Sequence, residues 1–185
     1  MTSPCSGKFF VKPSGQRRKN IMILVAVGAN LDSIYGSPLN ACQQAVRLLA
    51  DEKMEVLSLS RWYETAPVPM SDQPWYVNGV ALVRSPLTAE ECLSGLHRIE
   101  DRMGRVRTVV NAPRVIDLDL LAHGGDVREN ASLSLPHPRL QDRAFVLYPL
   151  RDVAPDWVHP RLGLSVDQMM ASLPPDQQIR PLLHD

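Results

Sequence analysis

Asp117 and Asp119 interrupt an otherwise apolar run over residues 115–121. In a strand, residues two apart share a face, so both carboxylates point one way while Ile116, Leu118 and Leu120 point the other. Two acids so placed repel each other unless a cation stands between them, which suits them to magnesium. The same pattern also fits a solvated strand face that carries acids without function. Arg105, Arg107 and Arg114 lie just upstream, around Ala112-Pro113. Carboxylates holding a divalent ion beside several guanidiniums are equipment for a polyphosphate, because metal and arginine share the charge on phosphoryl oxygens. His137, fixed between Pro136 and Pro138, and Arg143 extend the cationic set downstream. There is no Gly-x-x-x-x-Gly-Lys-Ser/Thr and no Gly-x-Gly-x-x-Gly after a strand, so a nucleotide has to be held by side chains. His97 and Glu100, one turn apart on a helix flank, either reach that nucleotide or face water.

A second constellation suits a flat heterocycle. Tyr76 and Asn78 share a strand face beside Thr65-Ala66-Pro67-Val68-Pro69, whose prolines fix the backbone. An aromatic ring offers a stacking surface, a carboxamide offers donor and acceptor together, and a rigid loop offers fixed peptide groups. Phe145 is a candidate for the opposite face. For either aromatic, ordinary core packing is the competing reading.

The elements that must position these groups follow from periodicity. Residues 21–27 form a continuous apolar run for a buried strand, turning out at Gly28-Ala29-Asn30. Ser37-Pro38 starts a helix whose stripe is Leu39, Cys42, Val46 and Leu49. Residues 56–61 alternate as a half-buried strand, and the three prolines in residues 65–74 exclude a regular element there. A strand follows over 76–84. Thr88 and Glu91 then form a capping box before the stripe Cys92, Leu96, Ile99 and Met103, which Gly104 ends. The acidic pair lies in the next strand, and Gly124-Gly125-Asp126 turns it into a short hairpin partner. Residues 144–150 read as a short helix ending near Pro149, and Ser165 with Gln168 as a last capping box. Strand, helix, strand, strand, helix, strand is the ferredoxin-like βαββαβ pattern, an α+β sandwich with an antiparallel sheet.

Composition agrees with one enzyme-sized domain. The chain has 185 residues, 44% hydrophobic and 22% charged, with a formal net charge of zero. Neither nucleic acid nor a membrane is expected as a partner. Three widely spaced cysteines, Cys5, Cys42 and Cys92, suit a reducing cytoplasm, with Cys42 and Cys92 as buried apolar residues. Residues 1–20 carry Lys8, Lys12, Arg17, Arg18 and Lys19 without an acid. They read as a disordered extension, and their composition also fits an organelle transit peptide. Residues 21–185 are expected to form the single domain, acting as a monomer.

The stretch Asn111-Ala112-Pro113-Arg114-Val115-Ile116-Asp117-Leu118-Asp119-Leu120-Leu121 resembles the signature of the hydroxymethyldihydropterin pyrophosphokinases of folate biosynthesis. Further matches follow in family order, from Val27-Gly28-Ala29-Asn30-Leu31 through Asp72-Gln73-Pro74-Trp75-Tyr76-Val77-Asn78 to Pro136-His137-Pro138-Arg139 and Arg143-Ala144-Phe145. The resemblance implies transfer of pyrophosphate from ATP to 6-hydroxymethyl-7,8-dihydropterin, giving AMP and the pterin diphosphate. It assigns Asp117 and Asp119 to two Mg2+ ions, and Arg105 and Arg114 to catalysis on the phosphates. The pterin would lie between Tyr76 and Phe145, read by Asn78 and by backbone groups of Thr65, Ala66 and Val68. ATP would be held by His97, Glu100, Arg107, Arg114, His137 and Arg143. The loops 67–74 and 105–114 are expected to order on binding. No dedicated general base stands out, and Asp119 is the best placed. Three departures bear on ATP affinity: a shorter 107–114 loop, Asn111 where some members carry tryptophan, and Ser132 where an arginine would contact nucleotide. Two rival classes, a non-catalytic ligand-binding domain and a metal-dependent phosphohydrolase, account less well for the clustered arginines and for the aromatic pocket respectively.

Overall fold

The computed structural model describes residues 20–67, 72–105, 114–130 and 132–183. Val68, Arg107, Asn111, Cys5, half of the 67–74 loop, most of the 105–114 loop, and the tail before residue 20 lie outside the described residues.

The chain runs β1 (Ile21–Ala29), α1 (Pro38–Leu48), β2 (Glu55–Leu59), β3 (Tyr63–Thr65), β4 (Tyr76–Ser85), α2 (Ala89–Arg102) and β5 (Asp117–His123). It continues with β6 (Arg128–Glu129), β7 (Ser134–Leu135), α3 (Ala144–Val153), α4 (Val166–Ala171) and β8 (Ile179–Pro181). The main sheet is antiparallel in the order β5-β1-β4-β3-β8, and β2 pairs with β4 farther along the edge that β3 shares. The expected α+β sandwich is therefore met.

Local chemistry explains where the helices begin. Ser37 accepts a hydrogen bond from Asn40 at the start of α1, with Pro38 at the first helical position. Thr88–Glu91 and Ser165–Gln168 form reciprocal capping boxes for α2 and α4. Gly104, at φ 85°, takes the left-handed conformation that turns the chain out of α2.

The two sheet faces carry different layers. Ile23, Val25 and Val27 of β1, with Val77, Ala81 and Val83 of β4, pack on Cys42 and Leu48 of α1 and on Leu96 and Ile99 of α2. Ile116, Leu118 and Leu120 join that core, as the spacing of the acidic pair required. The opposite face presents Leu24, Ala26, Val80 and Leu121 to Val146, Leu147 and Leu150 of α3 and to Val166 and Met169 of α4. Cys42 and Cys92 are fully buried free thiols. Burial pushes the first up to about 12 and the second up to about 11, so neither carries a reactive thiolate near neutrality.

The structure corrects four expectations. β1 continues through Gly28 to Ala29, because both residues still pair with β4. Tyr63–Thr65 is a strand although it borders the proline-rich segment, because β4 on one side and β8 on the other complete its ladder. Strand β6 pairs with β7 rather than with β5. Helix α3 passes through Pro149 to Val153. The ring removes one backbone bond, and burial of Val146, Leu147 and Leu150 against the sheet offsets the loss.

Candidate active site

Register across three strands builds the floor of the site. Gly28 of β1 lies opposite Asn78 of β4 on one side and Asp117 of β5 on the other. Directly paired residues project to the same face, so Asn78, Gly28 and Asp117 form one row. Ala26 pairs with Asp119 and with Val80, giving the adjacent row. The small residues at 26 and 28 leave space above the sheet, and a cavity of about 450 Å³ opens there. Every described residue assigned to catalysis, metal, pterin or ATP from the sequence lines it: Thr65, Ala66, Tyr76, Asn78, His97, Glu100, Arg105, Arg114, Asp117, Asp119, His137, Arg143 and Phe145.

The acidic pair sits in a graded field. Arg105 Nη1 lies 2.8 Å from Asp117 Oδ1, and Arg114 Nη1 donates to Asp117 Oδ2 at 2.5 Å. Arg114 is itself held by Asn30, whose Oδ1 accepts from the Arg114 N–H at 2.9 Å and whose N–H donates to the Arg114 carbonyl at 3.1 Å. Asp119 is different. Burial, followed by the negative charge of Asp117, raises its proton affinity, while His137, Arg143 and Arg114 oppose the shift. Burial lowers the pKa of His137, with Asp119 pulling the other way. Burial and the neighbouring Arg139 likewise lower that of Arg143.

Glu100 does not face water. It is fully buried, accepts the Leu118 N–H at 2.8 Å and pairs with Arg105. Its carboxylate therefore ties the end of α2 to β5 and holds a guanidinium that is only 15% exposed over the acids. His137 reaches the cavity because its N–H donates to the Leu121 carbonyl at 2.8 Å. Its Nδ1 accepts from the Arg139 N–H at 3.2 Å, so in the neutral ring the proton belongs on Nε2.

At the other end of the cavity, Asn78 Nδ2 donates to Thr65 Oγ1 at 2.7 Å. The Tyr76 hydroxyl donates to Gln73 Oε1 at 3.2 Å, and Asn30 Nδ2 donates to the same oxygen at 3.3 Å. Burial raises the Tyr76 pKa, keeping the phenol protonated. The Arg143 guanidinium lies 5.2 Å from the centre of the Phe145 ring.

This combination of acidic row, guanidiniums and amide-lined aromatic pocket agrees with the comparisons. Residues 24–155 match the family described as 7,8-dihydro-6-hydroxymethylpterin-pyrophosphokinase (HPPK). The chain belongs to the HPPK family. It is 39% identical over 148 residues to the 2-amino-4-hydroxy-6-hydroxymethyldihydropteridine pyrophosphokinase of Synechocystis, covering 80% of this chain and 73% of that one. The Pseudomonas aeruginosa protein of the same name is 36% identical, with 82% and 91% covered. The folic acid synthesis protein fol1 of Pneumocystis carinii is 35% identical over 89% of this chain, which spans only 22% of that longer protein. A crystal structure of Plasmodium falciparum HPPK-DHPS with pterin and p-hydroxybenzoate shares the fold at a TM-score of 0.66 and 13% identity, over 85% of this chain and 44% of that one. HPPK enzymes are ATP-dependent diphosphotransferases of folate synthesis that act on hydroxymethyldihydropterin, and this domain is one. Among the described residues, no helix is long and apolar enough to cross a membrane.

The HPPK cavity also contains residues given no role from the sequence: Gly28, Gln73, Arg139, Asp142 and Gln177. Gln73 and Arg139 stand inside matched motifs, but an isolated polar side chain in a loop carries no periodicity to mark it. Gln177 lies beyond the matched span and is brought in by β8, a strand too short to be read from alternation. Ser132 lies outside the cavity lining, and its hydroxyl donates to Asn130 Oδ1 at 2.9 Å.

Proposed function

We propose that this cavity is where the chain transfers the pyrophosphoryl group of ATP to the hydroxymethyl oxygen of 6-hydroxymethyl-7,8-dihydropterin. The observation that carries the reading is the shared row of Asn78, Gly28 and Asp117. Two strand spacings, roughly 10 Å, separate the amide from the carboxylate. That is about the length of a bicyclic ring with a one-carbon arm. A pterin read by Asn78 at one end therefore delivers its hydroxyl to the acidic, guanidinium-lined end.

Tyr76 and Phe145 bracket the ring, while Thr65 and Ala66 supply backbone groups. Val68 is assigned to the same task. His97, Glu100, Arg107, His137 and Arg143 form the nucleotide side, with Glu100 acting through Arg105. In the reaction the hydroxyl oxygen bonds to the β-phosphorus of ATP. The bond from that phosphorus to the oxygen bridging it to the α-phosphorus breaks, and AMP leaves. Arg105 and Arg114 shift from Asp117 toward the phosphoryl oxygens as charge redistributes onto them. Asp119 accepts the hydroxyl proton.

Asp117 and Asp119 would hold magnesium, two ions by this reading. When bound, the metal supplies charge neutralisation along the polyphosphate. The residues fit that role: both carboxylates are hard oxygen donors on one face. The buried Asp119 carries an ionisation penalty that a cation would relieve. Among the described residues no group of three His, Cys, Asp or Glu side chains could hold an ion. Two carboxylates with the remaining oxygens drawn from phosphates and water is the usual arrangement for magnesium in phosphoryl transfer.

The two buried free thiols suit a cytoplasmic setting, although two plant relatives are named mitochondrial. The chain is taken to act as a monomer, which sedimentation of the purified protein checks. The functional test is AMP release with ATP, magnesium and 6-hydroxymethyl-7,8-dihydropterin, with each component omitted in turn. AMP and pterin diphosphate in equal amounts, only when all three are present, is the expected result. Phosphate release without pterin would sink the reading.

A further inference from the structure

Gln177 lines the cavity from outside the span that matches the family. Its Oε1 accepts from the Ala144 N–H at 2.8 Å, and its Nε2 donates to the Asp142 carbonyl at 2.8 Å. These are the two peptide groups flanking Arg143. The side-chain amide thus grips Arg143 as a neighbouring strand would, and Arg143 is extended there, at φ −118° and ψ 112°. Arg143 is also the N-cap of α3 and makes no side-chain capping bond of its own, so Gln177 takes up one of the helix's orphan N–H groups.

The next residues secure the opposite wall. The Gln178 carbonyl accepts from the Ala66 N–H at 3.2 Å, and Ile179 pairs with Thr65. Three consecutive residues therefore join the Thr65–Ala66 side of the pocket to the start of α3, from which Arg143 and Phe145 project. A side chain leaving an extended residue is aimed by that residue's backbone angles. Fixing both peptides around Arg143 fixes where its guanidinium points and, one residue after Ala144, where the Phe145 ring stands.

We infer that Gln177 is a positioning residue for the transfer reaction, setting Arg143 toward the nucleotide and Phe145 toward the pterin from a C-terminal clasp. This rests on the functional reading above. Because one amide sets two side chains with different substrates, its loss should weaken both substrates together.

The test compares Gln177→Ala, Gln177→Glu and Arg180→Ala in the full chain. Arg180 lies in β8, three residues after Gln177, pairs with Glu64 and stacks on Trp75, and it does not line the cavity. Its loss removes a solvent-facing ion pair from β8 while the backbone ladder to β3 and the peptides around Arg143 stay in place. Steady-state KM for ATP and for the dihydropterin, melting temperature, and fluorescence titration with 6-hydroxymethylpterin are measured on each. Gln177→Ala should raise both KM values about tenfold, as expected for two lost hydrogen bonds, with melting lowered by only a few degrees. Gln177→Glu should do no better, since a carboxylate accepts from Ala144 but cannot donate to Asp142. Arg180→Ala should leave both KM values within about twofold of the parent.

Unchanged KM values in Gln177→Ala, or an equal rise in Arg180→Ala, overturn the inference. A rise for one substrate alone overturns it in favour of direct contact. A parent chain that neither turns over nor binds the pterin removes the functional reading and this inference with it, an outcome distinct from the others.

Discussion

Replacing Gly28 by alanine tests whether the row across β5, β1 and β4 is the floor of a pterin site. A Cβ built at Gly28 would stand 2.7 Å from Asn78 Oδ1, with Asn78 Cγ at 3.7 Å and the Val77 carbonyl at 3.8 Å. Ordinary carbon–oxygen contact needs about 3.3 Å, so the amide oxygen must withdraw by about 0.6 Å. The Asn78–Thr65 hydrogen bond, now 2.7 Å, has about 0.5 Å of slack before its geometry fails. Moving the amide therefore sacrifices that bond or turns the carboxamide away from the cavity. Either change costs about 1–2 kcal/mol of pterin binding, which is roughly 5- to 30-fold in affinity. The strand itself gains about 0.5–1 kcal/mol from replacing glycine, so global stability should change little. The assay is AMP release against dihydropterin concentration, with a melting curve on the same preparation. A pterin KM rising at least fivefold, at nearly constant melting temperature and ATP KM, is expected. A KM within twofold of the parent, with melting unchanged, would refute the claim that Asn78 must hold its place to read the ring.

Asp119→Asn keeps the side-chain volume and removes the charge. Turnover should fall by at least about 10²-fold, while melting stays level or rises as the repulsion from Asp117 is relieved; activity near the parent value would sink the metal assignment. Glu100→Ala removes a fully buried acid that holds Arg105 and the Leu118 N–H. It should cost about 3 kcal/mol, seen as a fall in melting temperature of roughly 6–12 °C, and an unchanged melting curve would show that Arg105 needs no such partner. His159 is buried, and its Nδ1 accepts from the N–H groups of Arg161 and Leu162, each at 3.2 Å. Burial lowers its pKa below 6.5, so the unfolded chain takes up the proton first. Its share of stability is present above 6.5 and lost as the pH falls through the lowered value. His137 is lowered as well, so the comparison is between the parent and His159→Asn, which keeps an acceptor and cannot titrate. The variant should lose less melting temperature than the parent between pH 7.5 and 5, and parallel curves would clear His159 of any part.

The helices were legible because their signals are local. Ser37-Pro38, Thr88–Glu91 and Ser165–Gln168 each satisfy orphan N–H groups within four residues, and the structure shows each bond. The direction of the acidic pair was legible for a similar reason, since a period of two holds in any strand. Glu100 was not, because an acid on a helix flank reads as solvated until Leu118 and Arg105 arrive from β5 and the turn after α2. Tyr63–Thr65 and Ile179–Pro181 were missed because three residues are too few to show alternation; each is a strand through the partners beside it.

The cavity itself is written in side-chain size more than in polarity. Along β1 the core face carries Ile23, Val25 and Val27, while the other face steps down from Leu24 to Ala26 to Gly28. A run of this kind reads as uniformly buried when only hydrophobicity is scored, which is why 21–27 looked like a strand covered equally on both sides. Volume separates the two faces. Leu24 fills the space beneath α3 and α4, whereas Ala26 and Gly28 leave it open between Asp119 and Val80, and between Asp117 and Asn78. A larger residue at 26 or 28 would fill the floor and separate the carboxylates from the amide. The taper in β1 is therefore what lets two unremarkable features of the sequence, an acidic pair and a strand asparagine, share one substrate.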